Sequence, residues 1–172
     1  MNQIDCKQAQ RVWSRVMASQ ADAQSETSAA GAPKPSAPDL QPAVITPEQV
    51  LRAMEHEHNA AAVYRCLAAR MTGCAAATLA ALAREEQCHV KKLAAMYFLL
   101  TGKKACLKKP EPPCITCNAE ALRRQYQQEL AAREHYEALA PLAGARACTL
   151  REIALDECRH AQKLYELLQS CL

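Results

Sequence analysis

Six residues with metal-binding side chains form two copies of one pattern. In each copy, a lone glutamate is followed 28 or 29 residues later by the motif Glu-x-x-His. The spacing within this motif places the carboxylate and the imidazole on one face of a helix. Four glutamates and two histidines in this order are the ligand set of a two-iron carboxylate site inside a helical bundle. The candidate metal ligands are Glu57, Glu86, His89, Glu129, Glu157 and His160.

A tyrosine follows each lone glutamate at the same distance. Tyr64 and Tyr136 come seven residues after Glu57 and Glu129, respectively. Seven residues are nearly two helical turns, so each tyrosine shares a helix face with its glutamate. A phenol there could donate a hydrogen bond to a ligand carboxylate. We therefore predict that Tyr64 and Tyr136 are catalytic residues that orient ligands or supply protons.

The composition and the turn residues predict the helices that must carry these ligands. The chain is rich in strong helix formers and has few β-branched runs. Thr46 is a suitable N-cap before Pro47, and Asn118 is a candidate N-cap for a later helix. The predicted helices cover about 47–71, 75–100, 118–140 and 145–171.

The turn positions support the ligand assignment independently. In an antiparallel helix pair, residues at equal depth are equally far from the turn. The midpoint of the first ligand set lies near residue 72, at Thr72 and Gly73. The midpoint of the second set lies near residue 144, close to Pro141 and Gly144. Both helix pairs are therefore expected to bring their ligands to the same depth.

Two predicted helices also carry an apolar seam with alternating three- and four-residue spacing, which is typical of core positions in a helical bundle. The glutamate and histidine of each motif interrupt the middle of a seam. Unpaired charges buried there would be costly, and a metal pair offsets that cost. The seam residues are Leu79, Leu82, Glu86, His89, Leu93, Met96 and Leu100, and then Leu150, Ile153, Glu157, His160, Leu164, Leu167 and Cys171.

The segment 102–117 is long enough to connect opposite ends of the bundle. Its 16 residues reach roughly 53 Å when extended, whereas a helix of 24 residues is about 36 Å long. The predicted fold is an all-α four-helix bundle with a long crossover between the second and third helices. Preceding it are a short amphipathic helix within 1–18 and a flexible linker at 19–46. The helix is expected to dock on the bundle, on a dimer mate or in a partner's groove.

Composition argues against several other functional classes. A net charge of +3 is too small to indicate a nucleic-acid partner. No apolar run is long enough for a membrane span, and no secretory signal is evident, so a cytoplasmic location is expected. The ten cysteines are accordingly interpreted as reduced thiols. Histidines and glutamates that flank the ligands are expected on the surface: His56, His58, His135, Glu55, Glu85 and Glu134.

These motifs resemble those of the ferritin-like superfamily, and in particular its rubrerythrin-type members, over residues 47–171. The resemblance implies a non-haem di-iron centre of the Fe–O–Fe type that reacts with hydrogen peroxide or dioxygen; manganese remains open as the loaded metal. It implies Glu57 and Glu129 as terminal carboxylates, Glu86 and Glu157 as bridging carboxylates, and His89 and His160 as terminal nitrogen ligands.

The chain departs from rubrerythrins in two respects. Rubrerythrins carry a rubredoxin module with two Cys-x-x-Cys pairs, and this chain has one pair, Cys114 and Cys117. With Cys106 nearby, the pair could hold zinc, act as a dithiol or consist of free thiols. Rubrerythrins also carry an extra glutamate where this chain has Ala132.

The expected function is peroxide or dioxygen reduction with electrons from a separate carrier, in a homodimer. A ferroxidase or iron-storage role and a purely structural metal site are the alternatives. The lysine cluster near the crossover is interpreted first as a solvated basic end, and the alternative is a docking surface for an acidic electron-transfer protein. The cluster consists of Lys91, Lys92, Lys103, Lys104, Lys108 and Lys109.

Overall fold

The computed structural model describes residues 44–170, and this part of the chain is helical without a β-strand. Its α-helices are α1 (Pro47–Arg70), α2 (Gly73–Thr101), α3 (Asn118–Leu139) and α4 (Ala147–Ser170). A 3-10 helix, Ala140–Arg146, joins α3 to α4, so the helical residues form three continuous stretches. For residues 44–170, the prediction of an all-α fold is confirmed. The predicted N-terminal helix and most of the predicted linker lie outside the described residues.

Local sequence explains where the helices begin and end. At α1, the Gln49 N–H donates to Thr46 Oγ1 at 3.3 Å, and the Thr46 N–H donates to Gln49 Oε1 at 2.8 Å. This reciprocal capping box satisfies two backbone donors that the helix itself cannot. Helix α2 ends at Gly102, whose φ of 68° is a left-handed conformation that favours glycine. Gly144, with φ of 55°, similarly permits the bend before α4.

The start of α3 differs from the prediction by one residue. Cys117 is the N-cap, and Asn118 is the first helical residue. The Asn118 side chain instead accepts a hydrogen bond at 2.8 Å from Arg70 Nε, at the end of α1. The predicted asparagine cap is therefore replaced by a contact between two helices, which sequence spacing alone does not reveal.

The packing shows that sequential helices run antiparallel. One apolar cluster combines Val50 and Met54, early in α1, with Met96, late in α2. A second cluster combines Leu67, late in α1, with Leu79, early in α2. We call these the first and second apolar clusters. In the same way, the first cluster joins the end of α3 to the start of α4, and the second joins the start of α3 to the end of α4.

The segment 102–117 runs from the first apolar cluster to the second. Ala105 and Leu107 pack on the first cluster, whereas Ile115 packs on the second. Because Tyr64 contacts Glu129 and Tyr136 contacts Glu57, α1 and α3 also run antiparallel. It follows that α2 and α3 run in the same direction, which requires a connection along their length.

The predicted seams form the core. Every described seam residue of α2 and α4 is buried except Leu100, which is half-buried. The last seam residue, Cys171, lies outside the described residues. The two apolar clusters occupy either end of these seams, and the motif residues lie between them.

The folded part begins slightly earlier than predicted. Ile45, at the end of the predicted linker, is 4% exposed and belongs to the first apolar cluster. Its N–H donates to the Leu142 carbonyl at 2.9 Å. This bond attaches the chain before α1 to the α3–α4 connection.

Among residues 44–170, no helix combines the length and the apolar character that crossing a membrane would need.

Replacing Thr46 by alanine tests the capping box. Loss of the side-chain acceptor should lower the free energy of unfolding by about 1 kcal/mol. Thr72 is a matched control, because it caps α2 without a side-chain hydrogen bond. In urea denaturation, T46A should lower the midpoint clearly more than T72A does. Equal effects would mean that the capping box does not stabilise α1.

Candidate metal centre

All six predicted metal ligands meet in one buried layer between the two apolar clusters. Each of them is at most 2% exposed, although glutamate and histidine are usually found at the surface. Each of the four α-helices contributes at least one of them. The six residues are Glu57 on α1, Glu86 and His89 on α2, Glu129 on α3, and Glu157 and His160 on α4.

The layer contains two overlapping groups that could each hold a metal ion. One group is Glu57, Glu86, His89 and Glu157, and the other is Glu86, Glu129, Glu157 and His160. Within each group, one potential ligand atom per residue lies within 4.8 Å of all the others. Glu86 and Glu157 belong to both groups, whereas each lone glutamate and each histidine belongs to one. This is the arrangement expected if the motif carboxylates are shared between two ions.

Both imidazoles direct the Nδ1 atom toward the carboxylates. His89 Nδ1 lies 3.0 Å from Glu157 Oε1, 3.1 Å from Glu86 Oε2 and 3.3 Å from Glu57 Oε2. His160 Nδ1 lies 2.8 Å from Glu86 Oε1, 3.4 Å from Glu157 Oε2 and 3.7 Å from Glu129 Oε2. The nearly symmetric contacts relate the two halves of the chain by a pseudo-two-fold arrangement. In the metal-bound state, Nδ1 is therefore the candidate ligand atom on each ring.

The other ring nitrogen, Nε2, faces a further carboxylate that the sequence analysis did not assign to the site. His89 Nε2 lies 3.1 Å from Asp156 Oδ2, and His160 Nε2 lies 2.8 Å from Glu85 Oε2. Glu85 was expected to face solvent, and its side chain is indeed 43% exposed, but its carboxylate also contacts the buried ring. Carboxylates in this position fix the orientation of a metal-ligating histidine.

A sequence signal for these two carboxylates does exist. Glu85 directly precedes Glu86, and Asp156 directly precedes Glu157. The doubled motif is therefore an acidic residue followed by Glu-x-x-His. Each acidic residue contacts the histidine of the opposite copy. Only the packing of α2 against α4 shows which histidine it contacts. Glu85 is also held by Lys163, whose Nζ lies 3.1 Å from both carboxylate oxygens.

The tyrosines make the kind of hydrogen bond that the sequence predicted. Tyr64 donates to Glu129 Oε1, and Tyr136 donates to Glu57 Oε1. Each phenol therefore bonds the lone glutamate of the opposite half. Burial, reinforced by the nearby carboxylates, holds the pKa of both phenols well above the usual value, so both remain protonated donors. The catalytic role of the two tyrosines stays a prediction.

Burial changes the protonation of the carboxylates. It raises the pKa of Glu86 to about 7, although hydrogen bonds with His160 and His89 oppose this shift. Burial and the neighbouring Glu157 raise the pKa of Glu129 to about 8. Glu57 shows the opposite result: burial raises its pKa, but hydrogen bonds with His56 and His89 outweigh burial and hold it below the usual range.

The buried carboxylates also change the pKa of the two imidazoles. Burial lowers the pKa of His89, but Glu157, Glu57 and Glu86 overcome this effect and raise it to about 11. Burial likewise opposes the carboxylates around His160, which raise its pKa to about 12. Without a metal, both rings are therefore cationic at neutral pH and partly neutralise the carboxylates.

The layer contains buried polar atoms whose contacts are ion pairs that a metal would replace. Among the described residues, Glu86 Oε1, Glu157 Oε1 and His160 Nδ1 make no well-directed hydrogen bond. Their close contacts are those between the imidazoles and the carboxylates, at 2.8 and 3.0 Å. Ionised, the four carboxylates carry four negative charges, which two divalent cations would neutralise once both histidines were uncharged. Oxygen and imidazole donors of this kind suit iron or manganese.

Other candidate ligands lie outside this layer. Cys106, Cys114 and Cys117 are exposed free thiols, and no cluster of metal ligands in residues 44–170 includes them. His135 is exposed, as predicted. His56 was also expected at the surface; its side chain is 44% exposed, yet its Nδ1 approaches Glu57 Oε1 to 3.7 Å. His56 is therefore a neighbour of the site that its position in the sequence did not reveal.

We find no matching protein-family model, no similar curated protein and no similar solved structure for this chain. The arguments for function therefore depend on the geometry of the site.

Metal uptake should release protons. A ligating imidazole must give up its Nδ1 proton, and the carboxylates must be ionised. With pKa values of about 11 and 12, His89 and His160 stay protonated in the metal-free protein at pH 7. Apparent metal affinity should therefore rise with pH, by about tenfold per pH unit for each proton displaced. Calorimetric titrations in buffers of different ionisation enthalpy measure this release; an affinity unchanged from pH 6 to pH 8 would contradict it.

Neutralising the carboxylates behind the histidines should weaken metal binding. For Glu85→Gln and Asp156→Asn, we expect a 10- to 100-fold loss of affinity, because each imidazole loses the group that orients it. Glu134→Gln is the control, since Glu134 is an exposed glutamate on α3. Affinities are compared by competition with a chelator. If E85Q and D156N bind metal as tightly as E134Q does, these carboxylates do not support the ligands.

Proposed function

We propose that this chain is a di-iron oxidoreductase with a ferritin-like four-helix bundle, and that it reduces hydrogen peroxide or dioxygen. The observation that carries the proposal is the pair of overlapping ligand groups that share Glu86 and Glu157. One metal ion needs only one such group. Two groups with shared carboxylates favour a pair of ions held close together, with Glu57 and His89 on one and Glu129 and His160 on the other.

The helix directions support the ferritin-like part of the proposal. Segment 102–117 connects two helices that run in the same direction and packs on both apolar clusters. One long crossover of this kind characterises ferritin-like bundles. A simple up-down bundle would need only a short turn at that point.

The bound irons would supply the electrons with which an O–O bond is cleaved. The residues around them would control access, orientation and protons. The apolar clusters on both sides limit water at the centre, so its charges interact strongly. Tyr64 and Tyr136 hold Glu129 and Glu57 in place through their hydroxyl protons, and these protons lie at the ligand carboxylates, from which they could be passed to oxygen.

Iron loading and reoxidation test the proposal. Protein reconstituted anaerobically should bind two ferrous ions per chain, measured by metal analysis after gel filtration. The reduced centre should then reoxidise faster with peroxide than with dioxygen in stopped-flow absorption measurements. Glu157→Gln should bind fewer than two irons, whereas Glu134→Gln should behave as the unmodified chain does. Failure to bind iron under these conditions would contradict the proposal.

The same experiment separates the alternative functions. An iron-storing protein would take up many more than two irons per chain and would form a large particle. A structural metal site would raise the thermal stability but would show no reoxidation with either oxidant.

A further inference from the structure

A cavity of about 430 Å³ lies between the crossover, α1 and α3. Both cysteines of the Cys-x-x-Cys motif line it, and both are exposed free thiols. Cys117 caps α3, so the motif is attached directly to the helix that carries Glu129. The cavity therefore brings the one Cys-x-x-Cys pair of the chain beside the elements of the metal centre.

The lining of the cavity includes a buried side chain with an unpaired acceptor atom. Gln125 lines the cavity and is only 3% exposed, yet its Oε1 has no hydrogen-bond partner among the described residues. Burying an amide oxygen without a donor is costly.

The cavity is also close to the ligands themselves. Gln125 lies one helical turn before Glu129, on the same face of α3. On the opposite wall, Ala60 lies one turn after Glu57, and His56 directly precedes Glu57. His56 Nδ1 approaches Glu57 Oε1 to 3.7 Å. The lining of the cavity thus includes both thiols and side chains that adjoin Glu57 and Glu129 on α1 and α3.

We propose that Cys114 and Cys117 form a redox-active dithiol that reduces the oxidised metal centre. This inference rests on the proposed function and identifies the immediate electron source. Cysteines with two residues between them readily form a disulfide in other proteins.

The reaction balances with two electrons. Peroxide takes two electrons from the reduced centre and two protons, and its O–O bond breaks to give two molecules of water. Cys114 and Cys117 then lose two protons and two electrons, form one S–S bond and return the centre to its reduced state. An external dithiol reductant, entering from solvent, cleaves the S–S bond by thiol–disulfide exchange and restores both thiols.

Disulfide mapping after a single turnover tests the proposal. The iron-loaded, fully reduced chain receives one equivalent of peroxide per two irons under anaerobic conditions. It is then quenched with an alkylating agent and analysed by peptide mass spectrometry. We expect most chains to contain a Cys114–Cys117 disulfide, and metal-free protein treated identically to contain at least tenfold less. Equal yields with and without iron would overturn the proposal.

The rate at which the ferric absorption decays gives a second measurement. In the unmodified chain, the absorption should appear with peroxide and then fade as the thiols reduce the centre. Cys114→Ser and Cys117→Ser should slow the decay of the ferric absorption at least tenfold. The rate at which this absorption appears should stay unchanged. Cys74→Ser is the matched control, because Cys74 is exposed at the start of α2 and does not line the cavity.

The outcomes distinguish the two proposals. Normal oxidation followed by equal fading in C114S, C117S and C74S would overturn the dithiol and leave the di-iron oxidoreductase standing. Absence of iron oxidation in every variant would overturn both. Because both cysteines are exposed, the serine variants should fold normally, and circular dichroism checks this directly.

Discussion

The cost of burying four carboxylates and two imidazoles in one layer constrains the rest of the structure. An isolated ionised group in an apolar interior is strongly destabilising unless it is paired or neutralised. In the metal-free protein, burial raises the pKa of Glu86 and Glu129, and the carboxylates are paired with two cationic histidines. Metal ions bound in this layer would displace the protons of the histidines, so the positive charge that offsets the carboxylates would be retained.

The hydrogen bonds around this layer also join the two halves of the chain. Tyr64 and Tyr136 each bond a carboxylate of the opposite half, and Asp156 and Glu85 each contact the opposite histidine. The α1–α2 and α3–α4 pairs are thus connected through the same residues that shape the site. Changes that disturb these residues are expected to affect the docking of the halves as well, so metal binding in this layer would be coupled to folding.

The crossover gives the two halves different surroundings. It packs on both apolar clusters and lines a cavity next to α1 and α3. Cys114 and Cys117 lie in the wall of this cavity, so the two halves of the chain differ in what surrounds them although their ligands are arranged alike.

Much of the arrangement was predictable from the sequence. Periodicity located the helices, because buried side chains recur at the spacing of the helix, and the doubled motif identified six residues that share one layer. What the sequence could not show was which half each supporting residue contacts. Four supporting residues contact the opposite half: Tyr64, Tyr136, Glu85 and Asp156. These contacts exist because α1 packs near α3 and α2 packs near α4. Local spacing determines the face on which a side chain lies, whereas only tertiary packing determines which side chain it meets.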